Sequence, residues 1–149
     1  MARGIDTNAG AVGRRMAVYA ELIEDNMDEA VAAVAKSIGH DVVEATPVKT
    51  GAAQSAWMGH RNGGSGAIDQ RSAPKDGVGG TTGRIDSAIG MSARSAALTN
   101  GATYINQLDQ GSSKQTPAGF VRAAIMTGLS AVNNVRLLVR GGGRRGFKK

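Results

Sequence analysis

Between Arg14 and Ala45, apolar residues recur every three or four positions and polar residues fill the gaps. Met16, Tyr19, Ile23, Met27, Ala30, Val34, Ile38 and Val42 share one stripe of a 3.6-residue period, which predicts a single long helix. Glu21, Glu24, Asp25, Asp28 and Glu29 fall mostly between them and give this helix an acidic outer flank. Gly39 is expected to weaken the last turns. Pro47 is expected to end the helix, because proline disfavours helical geometry at the preceding Thr46. Residues 1–13 are expected to form an arm ahead of the folded body.

Further on, the period changes. Around Gln54 to His60, Ser55, Trp57 and Gly59 fall on one side and Ala56 and Met58 on the other, the alternation of a weakly patterned strand. Residues 62–84 are rich in Gly, Ser, Asp and Thr without an apolar period, so a long Gly-rich loop is expected, mobile in the isolated subunit. The pattern from Arg84 to Ala97 fits either a short helix or part of a strand. A second strand is expected between Ala97 and Leu108, ending at Gly111.

Thr116 and Pro117 read as an N-cap followed by proline at the first helical position. Val121, Ala124, Ile125, Leu129, Val132 and Val135 then keep helical spacing to about Val139. Tyr104 to Phe120 is expected to form a strand, a turn and this helix start, with Leu108 and Val121 buried. The resulting order predicts an α+β fold: an antiparallel sheet with the long N-terminal helix and a C-terminal helix packed on one face. The division is one domain over residues 1–140 and a flexible basic tail over residues 141–149, uncoupled by Gly141, Gly142 and Gly143.

Composition sharpens this picture. Aromatics make up 3% of the 149 residues while Gly counts 22, which implies a thin core that leans on neighbouring subunits. Cys is absent, excluding a disulfide framework, a thiolate nucleophile and cysteine zinc sites, and synthesis and assembly in a cytoplasm is the simplest expectation. No secretory signal and no bilayer-spanning apolar run is read from the chain, so no membrane partner is expected. The net charge of +6 suits contact with DNA or with an acidic protein surface.

Candidate chemistry points away from catalysis. His40 and His60 belong to no metal-ligand spacing, and the carboxylates cluster on the first helix as a solvated face. The Gly77 to Gly83 stretch lacks both G-x-G-x-x-G spacing and the Lys-Ser/Thr of a phosphate loop, and Lys114 lacks the upstream glycine of one. No catalytic residue, metal site or cofactor is assigned, and no enzymatic activity is expected. The basic tail is the exception to this plainness. Arg144, Arg145, Lys148 and Lys149 form a candidate contact for DNA or for an acidic partner, because each cation near a phosphate releases counterions.

Two segments carry a resemblance. Ala45-Thr46-Pro47-Val48-Lys49-Thr50-Gly51, leading to Ser55-Ala56-Trp57, resembles the helix end, Thr-Pro-Val-x-Thr-Gly turn and Ser-x-Trp strand of the tail-completion, or head-tail neck, proteins of tailed double-stranded DNA phages. The segment from Tyr104 to Val121 resembles that family's tyrosine, acidic-Gly-Ser turn and Gln-x-Pro-x-Gly-aliphatic entry to the last helix. Lys49 stands where the family commonly has an acidic residue, and Ala52 and Ala53 replace a basic patch.

The resemblance implies a structural virion protein of the neck, assembled in the host cytoplasm. It would form a homo-oligomeric ring, six copies first and twelve second, between the portal-side connector and the tail-terminator side, with non-specific contact to double-stranded DNA as an added expectation. Trp57, Tyr104, Leu108, Pro117 and Phe120 are the candidate packing or subunit-interface anchors. The rival reading is a small basic DNA-binding protein that works through its tail.

Overall fold

The computed structural model describes residues 9–132, and every structural statement below is made of those residues. The Arg144, Arg145, Lys148 and Lys149 tail, the proposed helix end at Val139 and most of the N-terminal arm lie outside them. The fold is α+β. Helix α1 (Ala9–Ala45) starts five residues ahead of the expected Arg14 and is about 55 Å long at 1.5 Å per residue. A single turn, α2 (Ala52–Ser55), leads into strand β1 (Trp57–Arg61), so the strand expected from Gln54 begins three residues later, Gln54 and Ser55 being helical. Helix α3 (Gly77–Ile89) precedes strand β2 (Ala96–Asn100), and β1 and β2 pair antiparallel with Trp57 opposite Asn100 and Arg61 opposite Ala96. The short helix α4 (Ile105–Gln107) runs into a π-type turn at Leu108–Ser112, and α5 (Phe120–Val132) closes the described chain.

Three expectations are corrected. Residues 77–84, expected within the loop, are the first two turns of α3, so the loop is confined to residues 62–76. Four glycines depress helix propensity there, but Val78, Thr81, Ile85 and Ile89 repeat at helical spacing, and the last three are buried. Thr81 and Thr82 also donate their hydroxyls back to the Gly77 and Val78 carbonyls, at 2.8 and 2.9 Å. Second, the strand expected over 97–108 ends at Asn100, and Ile105 to Gln110 is helical or π-type rather than extended, with a kink at Gly111, whose φ is 93°. The Leu108 amide donates to the Tyr104 carbonyl, at 3.1 Å, so local helical bonds replace a ladder that has no third strand to pair with.

Third, Thr116 and Pro117 do not begin the last helix. Asp109 does that work: its carboxylate accepts from the Val121 amide at 3.0 Å, and its carbonyl from the Gly119 amide at 2.6 Å. Leu108 and Val121 are half-buried rather than buried, packed at the margin of the core.

The core forms where α1, α3 and β1 meet, with α5 packed along α1. Val42, Val43, Trp57, Ile85, Ile89 and Phe120 are its largest buried members. Gly39 owes its place to close approach: a Cβ there would lie 2.9 Å from Ile85 Cγ2 and 3.4 Å from Leu98 Cδ2. Gly128 does the same for α5, since a Cβ there would run into the Ile38 side chain. The expected weakness of α1 at Gly39 is thus offset by the packing that glycine permits. His40 Nε2 lies 2.8 Å from Asp86 Oδ1 and ties α1 to α3. His60, buried, meets Thr99 Oγ1 at 2.9 Å and the Gly66 carbonyl at 3.1 Å, fastening the loop to β2.

Gly39→Val should destabilise the fold by ~2 kcal/mol or more, because backbone and Ile85 must separate. Gly13→Ala, where a Cβ meets nothing within 4 Å, should instead stabilise α1 by ~0.5–1 kcal/mol. A urea midpoint for Gly39→Val at or above that of the unaltered protein would refute the packing account of Gly39.

Candidate functional site

The last turn of α1 leaves carbonyls without helical partners, and side chains from elsewhere in the chain take them up. Thr46 Oγ1 donates to the Val42 carbonyl at 2.6 Å, Gln54 Nε2 to the Val43 carbonyl at 3.2 Å, and Thr116 Oγ1 to the Ala45 carbonyl at 2.8 Å. Trp57 Nε1 donates to Thr46 Oγ1 at 2.8 Å, which roots β1 in the same helix end. Gln115 then grips the turn from both sides. Its Oε1 accepts from the Val48 amide at 2.8 Å and its Nε2 donates to the Val48 carbonyl at 3.1 Å.

These bonds join the 45–57 and 104–121 segments, which are far apart in sequence. Between them lies a cleft of about 1100 Å³. Its apolar lining comes from Pro47, Ala52, Ala53, Tyr104 and Leu108, backed by a small cluster of Ala53, Ala56, Ala73 and Ala102. Asn100 holds that backing in place, its Nδ2 donating to the Ala53 carbonyl and its Oδ1 accepting from the Ala102 amide, both at 2.8 Å. Lys49, Arg71, Lys75 and Lys114 stand on the lining and are exposed. The lining contains no carboxylate or histidine, and none of the four cations has a carboxylate within 4.0 Å among the described residues. An apolar floor with a cationic rim is suited to holding an amphipathic, negatively charged surface. No group of three or more His, Cys, Asp or Glu capable of holding a metal occurs among the described residues.

The anchors named from sequence divide between two places. Trp57 and Phe120 are buried in the main core, whereas Tyr104 and Leu108 are half-buried on the cleft. Pro117 is exposed and packs in neither buried cluster, three residues ahead of the start of α5. Sequence reasoning missed Arg71 and Lys75 as site residues, because nothing in the linear pattern brings a loop beside the 45–57 turn. Lys49 and Lys114 lay inside the two segments already singled out, but only the fold sets them across one cleft. Gln115 and Asp109 act through backbone groups distant in sequence, for which a single chain offers no linear signal.

No helix among the described residues is long and apolar enough to cross a membrane. Comparison of the chain with family models, curated proteins and solved structures finds no match.

Gln115→Ala should cost about 1 kcal/mol, the usual net value of such hydrogen bonds, and should speed amide exchange at Val48 while leaving the Trp57 environment unchanged. Unchanged exchange at Val48 would remove Gln115 as the clamp of the cleft.

Proposed function

We propose that this chain is a structural subunit of the neck of a tailed double-stranded DNA phage, forming a ring that joins the DNA-filled head to the tail. One observation carries the reading: the two segments that resemble neck proteins, remote in sequence, meet through the Gln115 and Thr116 bonds and line one cleft. Segments brought together in this way share a task, and a cationic, apolar-floored cleft suits subunit contact more than chemistry. The reading extends to a six-copy ring with a portal-side connector and a tail-terminator as neighbours, located in the virion and working without catalysis. Non-specific contact of its cations with passing DNA is compatible with that place.

Immunogold labelling with antibody to the full chain should mark the head–tail junction of tailed particles. Particles produced without the chain should accumulate as filled heads and unattached tails. Normally joined particles in its absence would reject the neck role. If such particles are joined and the purified chain binds duplex DNA with a steep salt dependence lost on truncation after Arg140, the small DNA-binding protein is the better reading.

A further inference from the structure

The N-terminal half of α1 reaches beyond the body of the protein. Ala32 is the first residue described as buried along the helix, while Met16, Tyr19, Ile23 and Met27 are 66%, 56%, 52% and 55% exposed. Four large side chains on one stripe in contact with solvent form an apolar surface of the kind that marks an interaction site. The same stretch is acidic. Glu21, Glu24, Asp25, Asp28 and Glu29 are five of the chain's twelve carboxylates, gathered within nine positions of a chain whose net charge is +6. Arg94 approaches Glu24 and Asp28, at 3.4 and 4.0 Å, and Glu21, Asp25 and Glu29 have no cation within 4.0 Å among the described residues.

The cleft has the opposite character, an apolar floor under four cations. Its volume of about 1100 Å³ accommodates roughly two turns of a helix about 10 Å across, the length from Ile23 to Glu29, which carries Glu24, Asp25, Asp28 and Glu29. The two surfaces cannot meet within one copy. The cleft opens where α1 ends, and Glu29 lies 16 residues, or roughly 24 Å, up the same helix from Ala45.

From this juxtaposition we infer that the acidic, apolar-striped N-terminal half of α1, around Met16 to Glu29, docks into the cationic cleft of a second copy of this chain. Each copy then offers a helix to one neighbour and a cleft to the other. Such a heterologous contact generates a closed ring when the rotation between copies closes and a filament when it does not. The inference deepens the ring reading above and names the contact that builds it, but it is tested on purified protein, away from any virion.

Three full-length proteins decide it: the wild type, a helix variant (Glu24→Lys, Glu29→Lys, the carboxylates that flank the stripe on either side) and a cleft variant (Lys49→Glu, Lys114→Glu). All the altered side chains are exposed, and retained far-UV circular dichroism and unfolding midpoints verify the fold. By analytical ultracentrifugation at low salt, the wild type should self-associate and each variant alone should do so at least tenfold more weakly. An equimolar mixture of the two variants should recover assembly, because reversed helix meets reversed cleft and native helix meets native cleft in alternation. The chain lacks cysteine, so Ile23→Cys and Ala52→Cys, made in separate copies, provide a second readout. The mixed disulfide should form between them faster than either symmetric one.

A wild type that stays monomeric at high concentration overturns the inference. Assembly unchanged in both variants, or a dominant symmetric disulfide between two Ile23→Cys copies from helix pairing, also overturns it, while a ring built through another surface would still stand. Salt-dependent duplex binding abolished in the cleft variant, with self-association intact, would reassign the cleft to DNA.

Discussion

The unfilled carbonyls at the end of α1 are the constraint on which the rest of the structure depends. A helix that stops inside a protein must hand its last acceptors to other donors, because each unsatisfied buried carbonyl costs ~1–3 kcal/mol. Thr46, Gln54 and Thr116 supply those donors. Thr46 is already at the helix end, but Gln54 and Thr116 must be delivered by the chain, and their delivery fixes the 45–57 turn and the approach to α5 against the same point. Trp57 reinforces the junction, since its indole can be buried only if its N–H finds an acceptor, which Thr46 Oγ1 provides.

Core and cleft are two sides of this junction. Towards α3, the end of α1 meets Ile85 and Ile89 across Gly39, whose missing side chain lets the backbones close. Away from it, the turn at Gly51, with φ of 76°, swings α2 outward and leaves alanines rather than large side chains between α2 and the 102–108 segment. A chain with so few aromatics has little with which to fill that space, and the cleft is the consequence. The π-type turn at Leu108–Ser112 forms one wall, and the Asp109 cap on α5 keeps it in place.

Charge is distributed along the same axis. Five of the seven carboxylates of α1 lie between Glu21 and Glu29, about 24 Å or more from the junction, with Asp41 and Glu44 beside it, and cations from the 45–57 turn, the 62–76 loop and the 112–115 segment line the cleft there. In the contact inferred above, this separation of charge favours head-to-tail over head-to-head approach of two copies.

By itself the sequence determined α1, its stop at Pro47, the β1 strand around Trp57 and the α+β class, because each rests on local periodicity or on a single residue's backbone preference. It singled out the 45–57 and 104–121 segments, though it did not show that they touch. Only the tertiary structure decided that residues 77–84 are helical, since burial of Ile85 and Ile89 overrides the glycines that argue against it. It likewise decided that Tyr104 to Ser112 curls rather than extends, that Asp109 rather than Thr116 caps α5, and that four cations share one cleft. Each of these depends on groups tens of residues apart finding one another, information that resides in the packing and not in any window of the chain.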